Sequence, residues 1–185
     1  MKMKILFVHP YDPSTEFLHI IYDKHSDNTD VTILNGETLN TIKREDFIDV
    51  IKSNDRIIFC GHGTEFGLLD LLNNRYIITP YDLEFIKNKE LICCWCNANI
   101  FVEKYDLNAF STGMFVSEIK EAKWYNLPTE QELINKSNIL FCEVLSNCVF
   151  DKLNDIQIRI SNEYMDKNNS IILFNRECMG MESAE

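Results

Sequence analysis

Two stretches, "DRIIFCGHG" (55–63) and "ELICCWCNA" (90–98), constrain this chain more than any other part of it. Each is a nearly continuous apolar run of strand length that stops abruptly at glycine or at small polar residues. An exposed or one-sided strand alternates apolar with polar residues, whereas a strand covered on both faces does not. Both runs therefore read as central strands of a mostly parallel sheet with helices on either side.

The remaining segments fit that frame. "KILFV" (4–8) and "DVTILNG" (30–36) read as further strands, the second closed by Gly36. Between them, "STEFLHIIYDKH" offers a Ser14/Thr15 cap and the apolar pairs Phe17, Leu18 and Ile20, Ile21, which predict a short helix. "REDFIDVIKSN" (44–54) places Phe47, Ile48 and Ile51 on one helical face. A fifth strand is expected over "FSTGMFVSEI" (110–119). A long helix is expected after Pro128, with a Thr129–Glu132 capping box and Leu133, Leu140, Phe141, Val144, Leu145 and Cys148 at helical spacing. "KLNDIQIRISNEY" suits strand or helix; helix is favoured because "DKNNS" then supplies a stop, leaving "IILF" (171–174) as a last strand. Strands alternating with helices predict a three-layer α/β sandwich. Residues 1–176 are expected to form one domain and 177–185 a C-terminal tail.

The net charge of −11 repels nucleic acid and anionic membranes. No apolar run approaches the roughly 20 residues of a membrane helix, and "MKMKILFVHPYD" reads as a first strand rather than a signal peptide. Seven cysteines is an odd number, and several lie within apolar segments, which fits a reduced, cytoplasmic protein better than a disulfide framework.

In parallel sheets, sites form at the carboxyl ends of the strands. His62, between two glycines, and Cys96, followed by Asn97, both fall there, so neighbouring strands would bring them together. A cysteine attacks as its thiolate, and a histidine beside it can take the thiol proton and later protonate the leaving group. The amides of Gly63 and Cys96 would be donors to a developing oxyanion. Cys93 and Cys94, inside the run, are assigned to the core. A zinc site built from Cys60, His62, Cys94 and Cys96 is disfavoured, because alternate strand residues face opposite ways and no loop-borne knuckle is present. "GHGTEFG" lacks the Gly-Lys-Ser/Thr end of a phosphate-binding loop. His9 could line the same sheet edge but reads more simply as a loop residue before Pro10. Trp95 and Trp124 are expected to pack, with a groove border as the other reading of Trp124.

"IIFCGHGTEFG" and "LICCWCNA" resemble the histidine and nucleophile blocks of the caspase-like cysteine peptidases, the group that includes legumain, gingipain, clostripain and separase-type enzymes. The resemblance covers about residues 55–119. It implies a caspase-like sandwich, a His62/Cys96 dyad, an oxyanion contribution from Gly63 and Cys96, a peptide or protein substrate, and no cofactor. In such folds the segment after the fifth strand shapes the pocket for the side chain before the scissile bond. Glu118 and Glu121 lie on that segment; they would favour a basic residue there, or else are solvated carboxylates of a helix or loop. Two features depart from caspases: Asn97–Ala98 replaces Arg-Gly, and Cys96 follows His62 by 34 residues rather than about 50.

The leading expectation is thus a cysteine endopeptidase. A non-catalytic caspase-like or flavodoxin-like binding domain is a rival from another class. Hydrolysis of a non-peptide amide or ester is a second rival, since it needs the same nucleophile, base and donors.

Overall fold

The computed structural model describes residues 2–181. Strands β1 (Ile5–His9) and β2 (Val31–Asn35) come first, with a 3₁₀ helix (Pro13–Ile21) between them. Helices α1 (Gly36–Thr41) and α2 (Arg44–Ser53) lead to β3 (Arg56–Cys60). Three short strands follow, β4 (His62–Thr64), β5 (Gly67–Asp70) and β6 (Arg75–Ile78), and then α3 (Leu83–Ile86), β7 (Glu90–Cys94) and α4 (Ala98–Lys104). The chain continues through β8 (Ala109–Ser111), α5 (Ile119–Trp124), α6 (Gln131–Cys148), α7 (Leu153–Glu163) and α8 (Ser170–Cys178).

The main sheet has the order β2-β1-β3-β7-β8 and all its pairings are parallel. Alternate residues of the apolar runs feed opposite cores, which explains why the runs are unbroken. Ile5, Phe7, Ile58, Cys60, Ile92 and Cys94 pack with residues of the 3₁₀ helix, α6, α7 and α8. Leu6, Val8, Ile57, Phe59, Leu91 and Cys93 pack with α1, α2, α3 and α4. The protein is a three-layer α/β sandwich with a mostly parallel central sheet. Among the described residues no helix is long and apolar enough to cross a membrane.

Several local expectations are corrected. "IILF" is helix, not strand: Asn169, fully buried, accepts from the amides of Ile171 and Ile172 at 3.0 and 3.3 Å and so caps α8. The fifth strand is cut to Ala109–Ser111, because at Gly113 the backbone lies against the Cys178 carbonyl, where a Cβ would sit 1.9 Å from the oxygen. The Thr129–Glu132 box does not form; Glu130 precedes the first turn of α6 without a side-chain cap. The first helix is capped by Asp12 with Pro13 at its first position, not by Ser14 or Thr15. The C-terminal segment is part of the fold through Met181, which is buried, while residues 182–185 lie outside the described residues. Trp124 is 65% exposed, with Lys120 over its ring, whereas Trp95 is buried.

His9 closes β1 in the interior, 3.0 Å from the Tyr22 hydroxyl and 3.4 Å from that of Thr15. Burial, with help from the neighbouring His19 and His62, lowers its pKa from 6.5 to about 4. The folded state thus binds this proton less readily than the unfolded state, so the contribution is whole above pH 6.5 and is lost as pH falls towards 4. Going from pH 6.5 to 5 should cost roughly 2 kcal/mol. Urea titrations across that range should show the acid loss in the native chain and a flatter profile in His9→Gln. Equal slopes would refute this assignment.

Candidate functional site

The carboxyl edge of the parallel sheet carries a narrow cleft of about 30 Å³, room for one or two waters. His62, Cys96, Ser117 and Glu121 line it together, with Thr15 and Phe115 among its walls. The pairing Cys60↔Cys94 makes β3 and β7 neighbours in the sheet, so the residues just beyond their ends converge. Cys96 is followed by Asn97 in the left-handed region (φ 65°), which a short polar side chain tolerates. The sharp turn this makes starts α4, and the Asn97 amide donates to the Gly113 carbonyl at 3.2 Å.

His62 is held from the loop after β1. Its Nε2 lies 2.7 Å from Ser14 Oγ and 3.3 Å from Asp12 Oδ1. The same Asp12 oxygen accepts the Ser14 amide at 2.9 Å and the Ser14 hydroxyl at 2.6 Å. Burial pushes the Asp12 carboxyl up, but these donors from Ser14 and His62 outweigh it and leave its pKa below the usual value. Ser14 Oγ, having given its proton to Asp12, can only accept from His62. That assigns a proton to Nε2 and leaves Nδ1 as the basic nitrogen of the neutral ring.

Cys96 stands as a thiol at the edge of this cleft. Its thiol donates to the Phe115 carbonyl at 3.8 Å. Burial, reinforced by the nearby Glu121 carboxylate, pushes its pKa up to about 11, so it is a thiol at neutral pH. Its backbone amide has no hydrogen bond among the described residues. Gly63 does not line the cleft. It lies flat on Trp95, where a Cβ would come within 2.0 Å of the ring, and Gly61 takes the place in the lining.

The two glutamates separate. Glu121 is 8% exposed, accepts from the Ser117 amide at 2.8 Å and its hydroxyl at 3.2 Å, and reaches the Cys96 cleft. Burial raises its pKa. Glu118, just before α5, faces a separate groove with Pro13 and His19. His9 is not in the lining of the Cys96 cleft, although it lies 3.4 Å from Thr15, one of its walls.

Sequence reading missed Asp12 and Ser14. The signal was present in "YDPS", an Asx-type cap followed by Pro at the first helical position, directly after a strand. It also missed the antiparallel sheet of β4, β5 and β6 that begins at His62.

No protein-family model matches the chain, and no curated protein matches it. Among solved structures it is similar to a flavodoxin from the domain Archaea, at 11% identity and a TM-score of 0.44, over 84% of this chain and 99% of that one. It is also similar to an NADPH-quinone reductase from P. pentosaceus, at 14% identity and a TM-score of 0.37, over 77% of this chain and 98% of that one. At these values neither likeness assigns a function.

Proposed function

We propose that the chain is a cysteine-dependent hydrolase that cleaves peptide bonds, with Cys96 as nucleophile and His62 as base and acid. The observation that carries the reading is the sharing of one cleft by Cys96 and a histidine whose Nε2 is fixed by Ser14 and Asp12, leaving Nδ1 basic. Asp12 and Ser14 are positioning residues, since they act through His62. In the reaction the Cys96 proton passes to Nδ1 as sulfur bonds to the substrate carbonyl carbon. The oxyanion takes the free Cys96 amide as donor, and the proton on His62 goes to the leaving amine as the C–N bond breaks. Water, deprotonated by the same nitrogen, then cleaves the thioester and restores the thiol.

The tight cleft and protonated thiol belong to the substrate-free state. A bound peptide must displace the Phe115 contact and widen the wall before the dyad closes. This closed state also favours the rival, a non-catalytic binding domain, and peptide cleavage decides between them.

Specificity follows from Glu121. A buried carboxylate beside the nucleophile recognises a cation, so a basic residue before the cleaved bond is the proposed preference. With fluorogenic peptides, Glu121→Gln should lower turnover of Arg and Lys substrates about thirtyfold, the equivalent of ~2 kcal/mol, and spare neutral ones. Glu118→Gln should have the smaller effect. A native enzyme that prefers Asp substrates would refute the pocket and leave the dyad standing.

A further inference from the structure

We infer that a second pocket, at the carboxyl ends of β1 and β2, binds a small organic cation carrying a guanidinium or primary ammonium group. Its volume is about 380 Å³, within the range of ligand sites. It lies between the loop after β1, the 3₁₀ helix, the start of α1 and the turn after β5. That is the sheet edge where open α/β folds place ligands.

The lining settles the charge of the occupant. Glu16, Glu37 and Asp70 line the pocket with no lysine or arginine, and His19, also in the lining, has its Nε2 matched by Asp23 at 3.5 Å. Asp70 is already matched by Arg75 at 3.0 Å and Asn73 at 2.9 Å. Glu16 and Glu37 have no ion pair among the described residues. An anion entering here would meet uncompensated carboxylates, whereas a cation would neutralise them. The rings of Tyr11 and Tyr22 add aromatic surface, which favours an organic cation over a hydrated metal ion. His9, in the lining, stays neutral at physiological pH and does not oppose a positive ligand.

The wall is built for close approach. Gly36 meets Tyr11 so closely that a Cβ would sit 2.2 Å from the Tyr11 Cβ and 2.9 Å from its amide nitrogen. Only glycine lets the loop after β1 close against the start of α1 and shape this side. The pocket and the Cys96 cleft share no lining residue, so the inference does not depend on the hydrolase reading.

Such a cation could be a free amine or a basic side chain of a peptide, and two probes distinguish them. The full chain is titrated calorimetrically at low salt with agmatine and with an acetylated arginine-containing peptide amide; n-butylurea serves as the neutral control. Saturable binding of agmatine is expected, weakened about tenfold by Glu37→Gln or Glu16→Gln and unchanged by Glu103→Gln, an exposed carboxylate on α4 that lines neither pocket. Tighter binding of the peptide would identify a side chain as the occupant, and equal binding a free amine. Both glutamates are exposed, so their variants should fold. The inference is overturned if agmatine fails to saturate at tens of millimolar. Equal binding by the Glu16→Gln/Glu37→Gln double variant, or of the neutral control, also overturns it. Equal weakening by Glu103→Gln would show attraction to the acidic surface as a whole and overturn it too.

Discussion

Cys96→Ala should abolish peptide hydrolysis, a loss of roughly 10³-fold or more, without unfolding the protein. The expected size follows from the role: no other thiol of the described residues shares the cleft with His62 apart from Cys94, which is fully enclosed between strands and far from ionising. The side chain of Cys96 is only partly buried and makes a single weak contact, so alanine leaves little empty space. Circular dichroism and a urea midpoint within error of the native chain would confirm that the fold survives. His62→Ala should show a loss of similar order, and the double variant little more, because residues acting as one unit are not additive. Full activity in Cys96→Ala would remove the hydrolase reading.

The second large effect concerns stability. Arg56 opens β3 with its side chain completely buried. Its guanidinium pairs with Glu90, with Nε 3.1 Å from the carboxylate, and also donates to the Val149 carbonyl. This fastens the amino ends of β3 and β7 to the end of α6, on the edge of the sheet opposite the Cys96 cleft. Arg56→Ala removes the charge partner, opens a cavity and strands the Val149 carbonyl, which should cost about 3 kcal/mol or more. Replacing the pair together, Arg56→Met with Glu90→Leu, should recover much of that loss, since no charge is then left unmatched. Denaturant titration of the two variants checks both statements; an unchanged midpoint in Arg56→Ala would refute the role of the pair.

What was legible in the sequence depended on how local its cause was. β3 and β7 were legible because burial on both faces forces unbroken apolar runs, and those runs end where His62 and Cys96 stand. The choice of helix for α7 also holds, with Ile156 and Ile160 on its buried face. α8 misled because "IILF" is apolar enough for a strand; a fully buried Asn169, whose cap contacts are invisible without the fold, decides for helix. The hairpin of β5 and β6 was hidden by short strands, although Asn73–Asn74 between apolar runs, with Asn74 at φ 47°, is a turn signal. The site divides in the same way. Its two chemical ends announce themselves at strand termini. Asp12 and Ser14 reach His62 across some fifty residues of sequence, and the choice of Glu121 over Glu118 depends on which face of a short helix meets the cleft.

The pairing of His62 with Cys96 in a peptide-binding cleft is tested most directly by a peptidyl arginyl chloromethyl ketone. Cysteine sulfur displaces chloride from such a probe rapidly only when the peptide is seated and the thiol is activated. Peptide mapping of the treated protein should find one thioether, on Cys96, forming at least tenfold faster than in His62→Ala. Labelling at another cysteine, or at Cys96 at the same rate with and without His62, would contradict the proposed function.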